Sequence, residues 1–333
     1  MTQRLRAAIF GCGNYANEHA RVMMQLSSRV ELVAFCDRHF DRAAALAQQH
    51  TAGSATVYTD HRKLIEEAGL DMLVITLPPY GHTDEVELAA QKGIHLLIEK
   101  PVALTSEQAW RMVAAVEGAG IKTQVGFKFR FGAAVEKLKD LIESGEAGPP
   151  GLFSARYFAN ALHAGWWRVR DKSGGQLVEQ AIHLFDLARF LMGEAGSVYC
   201  RQENVFHRDL PDYTIEDVSA AVIGFKNAAV GVIYATNGAI PGRWIHDYSF
   251  VARDLTVDFA GPNQAEFYFT AGPSRPPLSV ASDRDILVHQ MLDLIEAIST
   301  GGETRTPLQE GALSLDLALA AVRSAQSHAE ERL

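Results

Sequence analysis

The sequence predicts a doubly wound α/β domain followed by an α+β domain with an open, mainly antiparallel sheet. Three observations carry that prediction. Over roughly the first hundred residues, short apolar runs alternate with helical patterns. Beyond about residue 150 the runs give way to apolar–polar alternation broken by tight turns. The chain has 333 residues, enough for two domains at roughly 150 residues each.

The first strands are Leu5 to Phe10, Val30 to Cys36, Met72 to Leu77 and Ile94 to Ile98. None alternates with polar residues, as expected of strands buried on both faces of a parallel sheet. Between them Ala16, Ala20 and Met23, then Ala43 to Ala47, then Val86, Ala89 and Ala90 recur at helical spacing. Strand, helix, strand at this interval is a βαβ repeat. Lys122 to Phe131 reads as a further strand, and Ala133 to Glu143 as a helix ended by Ser144-Gly145. Gly148-Pro149-Pro150-Gly151 then punctuates the chain. The predicted domains are 1–123 and 124–333.

In the second domain the alternating sets are Phe153, Ala155, Tyr157; Val218, Ala220, Val222; Val230, Val232, Tyr234; Tyr248, Phe250, Ala252; Leu255, Val257, Phe259; and Phe267, Phe269. Lys226-Asn227 and Arg253-Asp254 sit where hairpin turns belong. A helix from about Gly175 to Leu191 interrupts these strands, helices from about Asp285 and Gly311 close the chain, and Pro273 to Pro277 is a surface loop.

Composition narrows the partners. Hydrophobic residues make up 47% and charged residues 21%, an ordinary globular balance. A net charge of −9 argues against a nucleic-acid or anionic-membrane surface, which needs a basic stripe. No apolar run approaches the roughly 18 residues needed to span a bilayer, and the N-terminus carries no signal-peptide pattern. Cys12, Cys36 and Cys200 are too few and scattered for a disulfide framework. The expected location is cytoplasmic.

Gly11-Cys12-Gly13-Asn14-Tyr15-Ala16 follows the first strand and opens the first helix. In that context Gly11 makes a tight turn, Gly13 lets the backbone approach a pyrophosphate, and Ala16 lets helix and strand pack closely. The phosphates then lie at the helix N-terminus, beside Asn14 and Tyr15. Asp37 ends the second strand about 20 residues further on, placed to accept from an adenosine ribose. This is the pattern of a Rossmann domain. Asp37 repels a 2′-phosphate and so favours NAD over NADP, a preference that the adjoining Arg38 softens.

Ligands of an open α/β sheet bind outside the carboxyl ends of its strands. Glu99, Lys100 and Pro101 close a strand at that end, and Leu77, Pro78 and His82 come from a neighbouring loop. Later, Glu179, His183 and Asp186 share one helical face, a histidine between two carboxylates. A carboxylate beside an imidazole fixes its tautomer and favours its charged form, which suits proton transfer. No third metal ligand and no His-Glu-x-x-His accompany them, so no metal is expected.

The order Gly-x-Gly-x-x-Ala, Leu77-Pro78-Pro79 with His82, Glu99-Lys100-Pro101, then Gly174-Gly175 and Glu179-Gln180-Ala181-Ile182-His183-Leu184-Phe185-Asp186 resembles the glucose–fructose oxidoreductase and inositol dehydrogenase (Gfo/Idh/MocA) family. The resemblance covers nearly the whole chain. It implies an NAD(P)-dependent oxidoreductase acting on a carbinol carbon of a sugar, polyol or derivative, with Lys100 and His183 at the reacting carbon. It also implies homodimers or homotetramers joined through the second sheet. The family usually has Asp where this chain has Glu179, a longer arm for the acid that orients His183.

The expected substrate contacts are Lys100, Glu179, His183 and the stretch His163, Trp166, Trp167 and Arg168, where a Trp face can pack on a sugar ring and His163 and Arg168 reach its hydroxyls. Arg130 and Lys128 are further candidates. Two other functions stay open: a glycosidase of the same family that keeps NAD bound, and a nucleotide-sensing regulator, which has no need of Lys100 and His183 together.

Overall fold

The computed structural model describes residues 4–160, 162 and 164–333, so His163 lies outside the described residues. The chain divides into two compact units. One takes it as far as Phe127 together with Leu287–Ala312; the other is Lys128–Ile286 with Leu313–Leu333.

The first unit runs β1 (Leu5–Phe10), α1 (Asn14–Gln25), β2 (Val30–Cys36), α2 (Phe40–Thr51), β3 (Thr56–Tyr58), α3 (His61–Glu67), β4 (Met72–Ile75), α4 (Glu85–Gln91), β5 (His95–Ile98), α5 (Ser106–Ala119) and β6 (Thr123–Val125). The strands form one parallel sheet in the order β3-β2-β1-β4-β5-β6. Order reverses between β1 and β4, the crevice where such sheets bind ligands. Met72 to Ile75 and Leu96 to Ile98 are buried throughout, which is why these strands carry no polar alternation.

The predicted strand Lys122 to Phe131 is shorter in fact. It ends at Val125, and Lys128–Phe131 is a 3-10 turn that buries Phe129, Arg130 and Phe131. Val125 is held on its outer edge by the late segment of the chain. Its N–H donates to Thr306 O at 2.7 Å, and its carbonyl accepts from Gln290 Nε2 and Thr306 Oγ1, each at 2.9 Å. Thr304 Oγ1 donates to Thr123 O, so the sheet edge is closed rather than left to pair elsewhere. The helix Ile286–Thr300 buries Met291, Leu294 and Ile295 in the same core as Ile9, Met23 and Val74. The expected division into 1–123 and 124–333 therefore differs from the compact units, because apolar burial and edge pairing return 287–312 to the first one.

The second unit runs α6 (Ala133–Glu143), β7 (Pro150–Phe158), α7 (Arg170–Ser173), a π-helical turn (Leu177–Ala181), α8 (Ile182–Met192), β8 (Ala195–Glu203), β9 (Val218–Phe225), β10 (Val230–Thr236), β11 (Tyr248–Ala252), β12 (Leu255–Gly261), β13 (Gln264–Phe269) and β14 (Leu278–Ala281). The helix Ile286–Thr300 is α9; α10 (Leu308–Ser327) and β15 (Glu331–Arg332) follow. The sheet order is β14-β13-β12-β11-β7-β10-β9-β8-β15, antiparallel except for β7 beside β10. Pro150, expected in a loop, is the first residue of β7, a position where a missing N–H is tolerated.

Alternation located β9 and β10, but the sets Val218, Ala220, Val222 and Val230, Val232, Tyr234 face away from the core. The inward residues are Ala221, Ile223, Phe225, Ile233 and Ala235. Both faces are apolar there, so a period of two shows the strand without saying which side is buried. Among the described residues no helix is long and apolar enough to cross a membrane.

Leu294→Ala removes a buried side chain of α9 from the first unit's core and is predicted to destabilise it by about 2–5 kcal/mol. Urea unfolding of the full chain measures this. A loss under about 1 kcal/mol would show that α9 merely rests on the surface.

Candidate active site

Gly11 has φ +92°, and a Cβ there would come 2.9 Å from Leu77 Cδ2 and 3.0 Å from the Thr76 backbone. Only glycine takes that turn without strain. Gly13 caps α1 with extended backbone and no side-chain hydrogen bond, no acidic residue follows in the first turn, and a Cβ on it would meet nothing within 4 Å. The helix opening thus keeps its positive end and open space before it, with Asn14 and Tyr15 as its first residues. Cys12 between the glycines is a buried filler. Burial, then Asp37, pushes its thiol up to about 12.

Asp37 is buried just past β2. Its Oδ2 accepts the Cys12 N–H and its Oδ1 the His39 N–H, both at 2.8 Å. Each oxygen keeps a lone pair for a ribose hydroxyl. Arg38 is exposed and donates from Nε to His39 Nε2 at 3.3 Å. These residues fit a dinucleotide: glycine backbone and helix end for the pyrophosphate, fixed acid for the ribose.

After β4, Leu77 and Pro78 lead into a 3-10 turn, Pro79–Gly81. His82 is buried with Nδ1 2.5 Å from Glu85 Oε1. Burial alone would raise the Glu85 carboxyl, but the His82 contact together with the backbone N–H groups of Thr83 and Glu85 outweighs it and holds the group below its ordinary range. Near this loop His61, Asp84 and Glu85 bring ligand atoms within 4.8 Å of one another. His61 and Arg62 already pair with Asp84, and His82 with Glu85, so both carboxylates have partners within the protein.

Glu99 follows β5 and is buried. Its Oε1 lies 2.8 Å from His19 Nε2, and its Oε2 accepts the Lys100 N–H at 3.3 Å. Gly126 permits this, because a Cβ there would fall 2.5 Å from Glu99 Oε2. Lys100 is half-buried, and the Lys100–Pro101 peptide is cis. His19 was not among the predicted residues, though a signal existed: it shares the buried stripe of α1 with Ala16, Ala20 and Met23. The Tyr15 ring stands edge-on to it at 5.5 Å.

In the second unit the expected regular helix from Gly175 begins instead with the π turn, a form that recurs at functional sites. Buried Glu216 holds its first residue. Its Oε1 accepts the Leu177 N–H at 2.8 Å, its Oε2 accepts from Arg170 Nη2 at 2.8 Å, and a Cβ on Gly175 would strike it at 2.5 Å. Glu179 lies in this turn and accepts from Trp167 Nε1 at 2.6 Å. His183 is buried on α8 and stacks on Phe129 with centroids 4.8 Å apart.

Three expectations need correction. Asp186, expected as a second flanking acid for His183, takes both prongs of Arg130, at 2.9 and 2.6 Å, and accepts from Ser314 Oγ at 3.1 Å. Arg130, expected on substrate, is therefore buried in that pair with its guanidinium over Phe190 at 4.6 Å. Trp167, expected against a sugar ring, is core: it packs with Tyr213 and Ile215 and spends its N–H on Glu179. Trp166 is half-buried against the same cluster. Arg168 is half-buried too, and its Nε has no hydrogen-bond partner among the described residues.

The glycine turn, the acid closing β2 and the strand order define a dinucleotide-binding protein of the Rossmann class. Residues 5–127 match the family model described as "Oxidoreductase family, NAD-binding Rossmann fold", and residues 135–272 match the GFO/IDH/MocA C-terminal domain. The chain belongs to the GFO/IDH/MocA family and is an NAD-dependent dehydrogenase. It is 26% identical to a D-apiose dehydrogenase of Paraburkholderia graminis, over 97% of this chain and 88% of the relative. It is 28% identical to a scyllo-inositol 2-dehydrogenase (NAD(+)) of Bacillus subtilis, over 71% and 68%. The structure of the WlbA dehydrogenase of Bordetella pertussis in complex with NADH and UDP-GlcNAcA superposes with TM-score 0.87 at 26% identity, covering 99% of each chain.

Arg130→Met takes the guanidinium from a buried carboxylate and is predicted to cost about 3–5 kcal/mol of stability. The urea midpoint reads this. A stable variant with a raised KM would return Arg130 to the substrate.

Proposed function

We propose that the protein transfers a hydride between NAD and a carbinol carbon of a sugar, polyol or close derivative. The observation that carries this is the pairing in one chain of a lysine at the carboxyl end of β5, set by a buried acid, with a histidine buried beside the π turn. Relatives named for apiose and scyllo-inositol support the substrate class.

Asp37 and the backbone of Gly11 and Gly13 would hold the dinucleotide. When bound, its nicotinamide supplies the acceptor or donor for the hydride. Lys100 and His183 exchange the substrate hydroxyl proton with solvent. Trp167 anchors one oxygen of Glu179, and the acid orients His183. The Phe129 ring keeps water from one face of that imidazole.

Lys100→Met is expected to leave NAD affinity within a few-fold, because phosphates and ribose are held by other residues. Turnover should fall by about 10²- to 10⁴-fold, the scale for a positioned acid–base group. His183→Asn should fall comparably, and the double variant by far less than the product. NADH formation against a panel of sugars and polyols reads all three. Near-normal turnover in Lys100→Met would end the catalytic assignment.

A second copy of the chain covers the outer face of the second sheet, giving a homodimer or homotetramer. That face carries Leu152, Tyr199, Val222, Val230 and Tyr234, all exposed, with Val222 paired to Tyr199 and Val232 across the ladder. A contiguous apolar face of this kind marks an interface. Sedimentation at micromolar concentration should find an oligomer, and Val222→Glu with Tyr234→Lys should dissociate it. A wild-type monomer refutes the assembly.

A further inference from the structure

Beside His183 the second unit holds two polar aromatic side chains that the expected site did not include. Phe129 lies between two imidazoles: His183 stacks on it at 4.8 Å and His246 meets it edge-on at 5.0 Å. Tyr157, on the same inward face of β7 as Phe153 and Ala155, stands edge-on to His246 at 6.2 Å and to Trp244 at 6.1 Å. Tyr157 and His246 are both half-buried, and neither side chain makes a hydrogen bond among the described residues. A polar tip in such a place, on a ring otherwise packed against aromatics, stays available to a ligand hydroxyl.

Their protonation suits a neutral partner. Burial, then the nearby charge of Lys128, holds the His246 imidazole below its ordinary range, against a smaller opposing pull from Asp247. Burial, then Glu179, keeps the Tyr157 phenol protonated. A neutral imidazole offers one donor and one acceptor, and a phenol offers both from one oxygen. Hydroxyl groups match that offer, whereas a carboxylate can only accept. Trp244 is 47% exposed next to Tyr157, so an indole surface is available to the C–H face of a ring.

We propose that Tyr157 and His246 form a hydroxyl-binding subsite next to His183 for an uncharged cyclic polyol or sugar, with Trp244 as its apolar wall. The proposal rests on the dehydrogenase function argued above. Tyr157 and His246 bind substrate hydroxyls other than the reacting one, so they act on affinity more than on the chemical step.

The test titrates the NADH-saturated protein with myo-inositol, D-glucose and D-xylose as probes by calorimetry, which needs no turnover. The wild type should bind at least one probe. His246→Phe keeps the ring contacts and Tyr157→Phe removes a single oxygen; each should weaken that probe about tenfold, the scale of a lost hydrogen bond to a substrate group. NADH affinity and the thermal midpoint should stay unchanged, and His246→Gln should restore binding to within about threefold. With NAD and the same probe, KM should rise in the Phe variants while kcat stays within about threefold. Equal binding by wild type and both Phe variants overturns the subsite, and so does a wild type that binds none of the probes. Binding that depends on both residues without NADH formation would uphold the subsite and defeat the dehydrogenase function instead.

Discussion

Glu99 is buried at the carboxyl end of β5, and a buried carboxylate persists only where fixed donors take its lone pairs. His19 reaches it from α1, the backbone N–H of Lys100 reaches it from its own strand, and Gly126 gives up a side chain to make room. One acid thereby joins the glycine-loop helix, the lysine-bearing strand end and the turn that leaves β6. Moving any of the three exposes or strands a charge. This explains why a run of buried aliphatic residues ends abruptly in a carboxylate and an ammonium: the acid belongs to the interior and holds the backbone N–H of the lysine that follows it.

Buried acids do similar work in the second unit. Glu216 takes the first N–H of the π turn and an arm of Arg170, while Asp217 accepts the N–H groups of Val205, Phe206 and His207. Gln176 extends the set to Asn237. The extra residue in the π turn resets the phase of the helix, so Glu179 meets Trp167 and His183 meets Phe129. His183 and Asp186 both lie beyond that turn, three residues apart in the regular α8, a spacing that by itself offers the acid to the histidine. The structure gives Asp186 to Arg130 instead, and a bidentate buried pair has little freedom to do anything else.

The nine-stranded sheet has a similar division of labour. Its inner face is packed with Phe153, Ile223, Ile233 and Phe250, and its outer face remains apolar at β7, β9 and β10. Next to the inner face, Tyr157, His246 and Trp244 collect around Phe129. They come from two strand ends and a turn far apart in sequence, so only sheet register unites them.

The sequence by itself determined the order of elements, the glycine turn with its acid, and the lysine and histidine of the proposed chemistry. Each is a local matter: hydrophobic period, a backbone conformation that only glycine adopts, or residue types a few positions apart. Ala133 to Glu143 was legible to the residue because its apolar stripe and its ends lie within one helix. What the tertiary structure decided was partnership. Whether Arg130 meets a substrate or Asp186, whether Trp167 is wall or core, and whether Val222 faces inward all depend on segments brought together by folding. So does the return of α9 to the first unit, and so do the pairing of His19 with Glu99 and of His246 with Phe129. Periodicity names a face and a spacing; desolvation and hydrogen-bond satisfaction choose what that face meets, and those are settled between elements rather than along them.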